Sequence, residues 1–396
     1  MLISAWVCPT FLTLHTAQGT IEMDSNEYGL DQYPFVDFEN QIYPARFVAE
    51  CLQIGTVWLG DIVREHNLNI RRIPRGTVET RGYTLEDIFR IASIRREIGA
   101  IKPFPRPITL SVYVQKGGTA KTTTACNLAI HFNLMGLRTL VIDNDPQADA
   151  TSMLGYDPDL TSAELEEVGV PGNRAVDGHI GNLMRVGNTY TPLSLEEVIK
   201  KPFGEYGPHL IPAEVTLDEM DIVLRNANGS DFRYSIFIEQ ARSGKLPHCD
   251  LSNYDVIIMD NAPSGTMLSR NSMVAADFLV CPIRMDKFSF RALSRLAFRL
   301  SEFAKDFQRS PEIIAIPTMY IRNRPRIQAN LERLTTLFPG KVTQSPLYHN
   351  EDYSKSLEEG IPVSLWRQAS DNSVGAFRTV FSEVVSRIRD VLEASK

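Results

Sequence analysis

In ITLSVYVQKGGTAKTTTACNLAIHFNLMG, residues 108–136, an apolar run enters a glycine-rich turn, meets Lys-Thr-Thr and continues as a helix. Apolar residues recur along that helix at Ala125, Leu128, Ala129, Phe132 and Met135. Strand, loop and helix in this order are the context that a phosphate-binding loop requires. Glycines are needed where the backbone curls around phosphate oxygens and turns its N–H groups inward. A lysine must meet the β/γ charge, and a hydroxyl at the helix start must reach Mg²⁺. Gly117, Gly118, Lys121 and Thr122 fill those places, and the helix N-terminus adds its partial positive charge.

Outward from this loop the chain alternates. LRTLVID (137–143), HLIPA (209–213), YDVIIMD (254–260), DFLVCPI (277–283) and EIIAIPTMY (312–320) are apolar runs separated by helical stretches. The pattern predicts an α/β fold, a mostly parallel P-loop sheet with helices on both faces. Two of the strands end in carboxylates, Asp143-Asn144-Asp145-Pro146-Gln147 and Asp260-Asn261-Ala262-Pro263. The C-terminal ends of parallel strands are where open α/β sheets bind ligands. Asp260, closing a hydrophobic strand, fits the role of holding Mg²⁺ through its water shell.

KGGTAKTT resembles the deviant Walker A box, KGGxxKTT, of the ParA/MinD ATPases. DNDPQADATSMLGY is similar to the DxDPQ segment of ParA partition ATPases, and YDVIIMDNAPS, PTMY (317–320) and SPLYHNEDYSKSLEEGIPV (345–363) follow in the ParA order. The resemblance covers residues 107–396. It implies ATP and Mg²⁺ as cofactors, with Lys116, Gly117, Gly118, Thr119, Ala120, Lys121, Thr122 and Thr123 on the nucleotide and Thr122 and Asp260 on the metal. It implies a homodimer formed over ATP, Lys116 reaching across to the second subunit's phosphates, and Asp145 orienting the attacking water. A second lysine near the phosphates stabilises transition-state charge much as an arginine finger does. The implied partners are a ParB-like centromere-binding protein and non-specific double-stranded DNA, with a cytoplasmic, nucleoid-associated location. The match places DNA contacts at Arg322, Arg324, Arg326, Lys341 and Lys355.

Upstream, residues 1–45 show no sustained period and read as a mobile tail. Residues 46–101 read as a small winged-helix-like domain. Within it NIRRIPRGTVETRGYT is basic, β-branched and glycine-punctuated, a two-stranded hairpin. Thr84 caps LEDIFRIASIRREIG, with Asp87 three residues on. RGTVETRGYTLEDI resembles the wing and following helix of long, plasmid-type ParAs, as does Ala120. Only nine residues, Arg64 to Arg72, separate the preceding helix from the wing, too few for a full recognition helix there. The run KPFPRP (102–107) reads as a proline-rich linker ahead of the ATPase domain, 108–396.

Composition agrees. The chain has 396 residues, 43% hydrophobic and 22% charged, which excludes fibrous and disordered classes. No apolar run reaches the length of a membrane span. The five cysteines form no C-x-x-C pair, which argues against zinc, disulfides or an iron–sulfur cluster and suits a reducing cytoplasm. Net charge is −7, but it is segregated: residues 157–260 carry net −10 and residues 284–341 net +7. Such asymmetry hints at local polyanion contact. Arg291, Arg295 and Arg299 recur at helical spacing as a further basic stripe. The C-terminal helix, apolar at Val380, Phe381, Val384, Val385, Ile388, Val391 and Leu392, has a mixed-sign polar face and reads as core packing rather than membrane binding. The rival functions are a nucleotide-sensing transcriptional repressor and a MinD-like membrane-positioning ATPase.

Overall fold

The computed structural model describes residues 5–8, 11–16, 19–24, 37–38, 40–286, 294–295, 297–298, 300–302, 304–305 and 310–394. Arg291 and Arg299 of the basic stripe lie outside them. Within the stretch read as a tail, three short strands, β1 (Ala5–Cys8), β2 (Phe11–Thr16) and β3 (Gly19–Asp24), pair antiparallel.

The body is a six-stranded sheet: β7 (Ile108–Val112), β8 (Thr139–Asn144), β9 (His209–Ile211), β10 (Val256–Asn261), β11 (Phe278–Arg284) and β12 (Glu312–Thr318). Their order is β12-β11-β7-β10-β8-β9, and all five ladders are parallel. Every apolar run read as a strand is one. The central strands β7, β8 and β10 are buried along their whole length, as expected of a parallel sheet with both faces covered. The register sets Asp260 level with Val112 on one side and Asp143 on the other, so carboxylates and phosphate loop share one edge.

One face carries the helix that follows the loop, Lys121–Leu134, and the C-terminal helix, Asp371–Ala394. The latter buries Phe377, Val380, Phe381, Val384, Val385, Ile388 and Leu392 in the main core, so its apolar face is already covered by protein. Among the described residues no helix is long and apolar enough to cross a membrane. The acidic region 157–253 packs a second core against the opposite face around Leu183, Leu217, Leu224 and Phe237.

The N-terminal unit runs strand β4 (Tyr43–Pro44), helix α1 (Ala45–Leu52), helix α2 (Thr56–Glu65), hairpin β5 (Arg72–Arg75) and β6 (Val78–Tyr83), then helix α3 (Leu85–Glu97). Gly76 turns the hairpin at φ +64°, and the Thr84–Asp87 capping box starts α3 as expected. Gln53 in the left-handed region and Gly55 make a tight turn between α1 and α2, and no helix stands between α2 and the hairpin, in keeping with the nine-residue count from Arg64 to Arg72.

The proline run does not hold the two parts at a distance. Phe104 is buried edge-on against Phe132, with the Arg389 guanidinium over its ring. Helix α3 lies on the end of the 121–134 helix, Arg96 makes a two-pronged ion pair with Asp255, and the Tyr43 hydroxyl donates to the Leu365 carbonyl at 3.1 Å. One apolar core runs through both parts.

Candidate active site

The loop 115–120 leaves β7 and enters the 121–134 helix through two left-handed residues, Gly118 at φ +64° and Ala120 at φ +67°. That curl turns successive backbone N–H groups toward one point, ahead of a fourteen-residue helix whose N-terminus faces the same point. Thr318 at the end of β12 donates to the Thr119 carbonyl at 3.2 Å and ties the loop to the sheet. Lys121 folds back, its Nζ donating to the Lys116 carbonyl at 3.2 Å. Its ammonium is nearly buried, which lowers its pKa, while Asp260, Asp145 and Asp149 pull the other way. The cavity above has a volume of about 780 Å³ and is lined by Gly117, Gly118, Thr119, Ala120, Lys121, Thr122, Thr123, Asp145, Gln147 and Asp149, with Tyr156 and Arg174 on its far wall.

Asp260 is fully buried, and among the described residues neither carboxylate oxygen is fully satisfied, the Thr122 hydroxyl being the one donor near it. Burial pushes its pKa well up, Asp143 adds repulsion, and the Thr122 hydroxyl and Lys121 offset part of it. An orphaned buried carboxylate beside a hydroxyl at the start of a helix is what a divalent cation would satisfy. Mg²⁺ is a cation held by one or two protein groups together with waters and phosphate oxygens, and Asp260 and Thr122 offer those two groups. The residues present therefore fit ATP–Mg²⁺.

The neighbouring carboxylates divide. Asp143 is wholly buried and its pKa is raised to about 7 by desolvation, against hydrogen bonds from Thr151 N (2.8 Å), Thr151 Oγ1 (2.7 Å) and Asp145 N (3.2 Å). Asp145 faces the cavity, accepts from Gln147 N at 3.0 Å, and is raised by burial. The sequence reading gave Asp145 a role and Asp143 none. The signal was present, since both close the same strand, but only the structure separates the cavity-facing carboxylate from the inward one. Also missed was the polar support behind the strands: Tyr234 OH donates to Asn144, Asn144 to Asn261, and Asn261 to Ser111.

Lys116 stands apart from Lys121. Its Nζ lies 2.7 and 2.5 Å from the two oxygens of Asp286, just past β11, and it does not line the cavity. The expected DNA-contact residues fall on the β12 side. Arg322, Arg324 and Arg326 are exposed, and the Arg322 guanidinium stacks 4.4 Å over the Tyr348 ring. Among the described residues none of the three makes an ion pair, whereas Lys341 pairs with Glu312 and Lys355 with Glu351.

Fold and loop together define a P-loop nucleotide-binding protein with its site at the edge of a parallel sheet. The profile of the AAA domain family matches residues 108–313, and the chain belongs to that family, in its ParA/MinD branch. It is 27% identical over 282 residues to the chromosome partitioning protein ParA of Caulobacter vibrioides, covering 71% of this chain and 95% of that one. Two solved structures share the fold. Cobyrinic acid a,c-diamide synthase from Mycobacterium smegmatis, with a bound ATP analog and magnesium, is 20% identical, with a TM-score of 0.53 over 71% of this chain and 95% of its own. A structure described as a partition protein is 16% identical, with a TM-score of 0.55 over 92% of this chain and 95% of its own.

Proposed function

We propose that this ParA-family protein is a DNA-partition ATPase: a cytoplasmic, ATP-driven switch whose ATP–Mg²⁺ dimer binds DNA without sequence preference. In this reading a ParB-like centromere-binding partner stimulates hydrolysis. The observation that carries it is the division of labour between two lysines. Lys121 lies inside the phosphate cradle, while Lys116, from the same loop, is held outside it at the rim. One nucleotide site needs one such lysine, so the second is available to the phosphates of another copy.

The residues then act as follows. The 117–123 backbone and Lys121 bind and orient the phosphates, with Thr122 and Asp260 toward the cation, which supplies charge neutralisation at the β- and γ-phosphates. Asp145, at the cavity wall, would position the attacking water. Lys116 of a second copy completes the charge balance and couples dimerisation to hydrolysis. The test is sedimentation with ATP, ADP or neither, followed by phosphate release with and without duplex DNA. A chain that stays monomeric with ATP overturns the reading.

A second role at the N-terminus is supported by the order α1–turn–α2–hairpin. Thr56, Val57, Trp58 and Arg64 of α2 are exposed, as are Arg71 and Arg72 at the hairpin. A helix so presented fits a major groove, with the hairpin on the backbone. Operator binding would thus accompany partition in one chain. A membrane-positioning role finds no support, because the apolar face of the C-terminal helix is spent in the core.

A further inference from the structure

Lys116 is anchored at both ends. Its backbone N–H donates to the Val114 carbonyl at 2.7 Å, and its ammonium bridges both oxygens of Asp286. Asp286 is itself fixed by the sheet: Met285, buried, donates to the Thr318 carbonyl at 3.3 Å, and the Asp286 N–H donates to the Arg284 carbonyl at 2.8 Å. The carboxylate therefore cannot follow the lysine far without unpicking the end of β11. A second cation stands by, Arg284 Nε at 3.6 Å from Asp286 Oδ2, its side chain half exposed.

We propose that Asp286 is a positioning residue for the dimerisation step, a counter-ion within the same chain that holds Lys116 away from any phosphate until a nucleotide on a second copy competes for it. The proposal builds on the trans role given to Lys116 above. The ion pair must break for Lys116 to cross, so its strength is subtracted from the dimer and not from nucleotide binding by the monomer. Arg284 keeps Asp286 neutralised after the lysine leaves, so departure does not strand a carboxylate beside incoming phosphates. Among the described residues three act as an exchange: one carboxylate, one mobile cation and one resident cation. The pair is only partly exposed, 24% for Lys116 and 33% for Asp286, so its weight is modest and the switch remains reversible.

The experiment titrates ATP against the full-length chain and reads dimer by sedimentation, with nucleotide binding to dilute monomer measured separately by a fluorescent ATP analogue. Asp286→Asn is expected to lower the ATP midpoint for dimerisation about two- to fivefold, the range a half-exposed ion pair supports, with monomer affinity unchanged. Asp286→Glu should return the midpoint toward wild type, a rescue that a merely structural role would not give. Arg284→Gln should raise the midpoint, because Asp286 then holds Lys116 against less competition. An unchanged or raised midpoint in Asp286→Asn, or no rescue by Glu, overturns the proposal. Lys116→Ala separates the two layers. If it still forms the ATP dimer, the trans role itself falls and the exchange with it; if it does not, and Asp286→Asn matches wild type, only the exchange falls.

Discussion

His131, on the helix that begins at Lys121, places its ring 5.8 Å from that of Phe381 on the C-terminal helix, and its Nε2 has no hydrogen-bond partner among the described residues. Burial holds its pKa down at about 4, and the Arg378 guanidinium adds to the effect. The folded protein thus carries a neutral imidazole where the unfolded chain carries one that protonates near 6.5. The unfolded state binds more protons between those values, so stability is full above about pH 6.5 and is lost as pH falls toward 4. One such histidine contributes a slope of up to about 1.4 kcal/mol per pH unit in that window. His209, also lowered to about 4 by burial, contributes in the same direction. Urea unfolding from pH 7.5 to 4.5 should show this fall, and His131→Phe should make it shallower by up to one proton. An identical slope in the variant would place the titration elsewhere.

Lys121 and Asp145 line one cavity but should fail differently. Lys121→Ala removes a charge from the phosphate cradle, and a hydrogen bond to a charged group is worth about 1.5–3 kcal/mol, so nucleotide affinity should fall about 10- to 100-fold. Asp145→Ala leaves the cradle intact and removes only the group that positions water. It should bind ATP as wild type does, accumulate as a dimer, and hydrolyse at least about 100-fold more slowly. Fluorescent-nucleotide titration and phosphate release, run on both variants, separate the two roles. Wild-type turnover in Asp145→Ala would disprove its assignment.

The sheet and its phosphate loop were readable because the physics that makes them is local. Six apolar runs could only be buried strands, and Gly117, Gly118 and Lys121 have meaning at fixed offsets. What could not be read depends on distant chain. Phe104 looks like part of a loose proline linker until Phe132 and Arg389, hundreds of residues apart, close on it. Asp286 had no sequence signal at all: its meaning is the ammonium it faces across 170 positions.

The junction between the parts has one position without slack. Gly136 sits at φ +72°, and a Cβ there would come 2.6 Å from the Ala92 carbonyl oxygen of α3 and 3.0 Å from Arg96 Cβ. Both conformation and space exclude a side chain, while Arg96 also donates to the Gly136 carbonyl at 3.3 Å. Gly136→Ala should push α3 off the end of the 121–134 helix and destabilise the fold by about 1–3 kcal/mol. Denaturant unfolding measures the loss, and limited proteolysis should show new cleavage between residues 98 and 107. Unaltered stability would mean the junction yields more readily than its contacts indicate.

The exposed arginines beyond β12 bear on DNA. Arg322, Arg324 and Arg326 fall within five residues at the start of the helix Pro325–Leu337, and no carboxylate among the described residues neutralises them. Lys341 and Lys355, by contrast, already pair with Glu312 and Glu351 and would have to leave those partners to reach a phosphate. The three arginines should therefore carry more of the contact than the two lysines. Contacts of this kind go to the phosphate backbone, so affinity should fall steeply with salt and vary little with sequence. Each phosphate neutralised contributes about 0.9 to the slope of log affinity against log salt on B-form DNA. Replacing Arg324 and Arg326 with Gln should flatten the slope by about one to two units and leave nucleotide binding unchanged. Replacing Lys341 and Lys355 should flatten it by less. Titration of duplex DNA at several salt concentrations, with ATP and Mg²⁺ present, reads both pairs of variants. If the arginine pair leaves the slope unchanged, the DNA surface lies on another face; if the lysine pair moves it more, their acidic partners release them on binding.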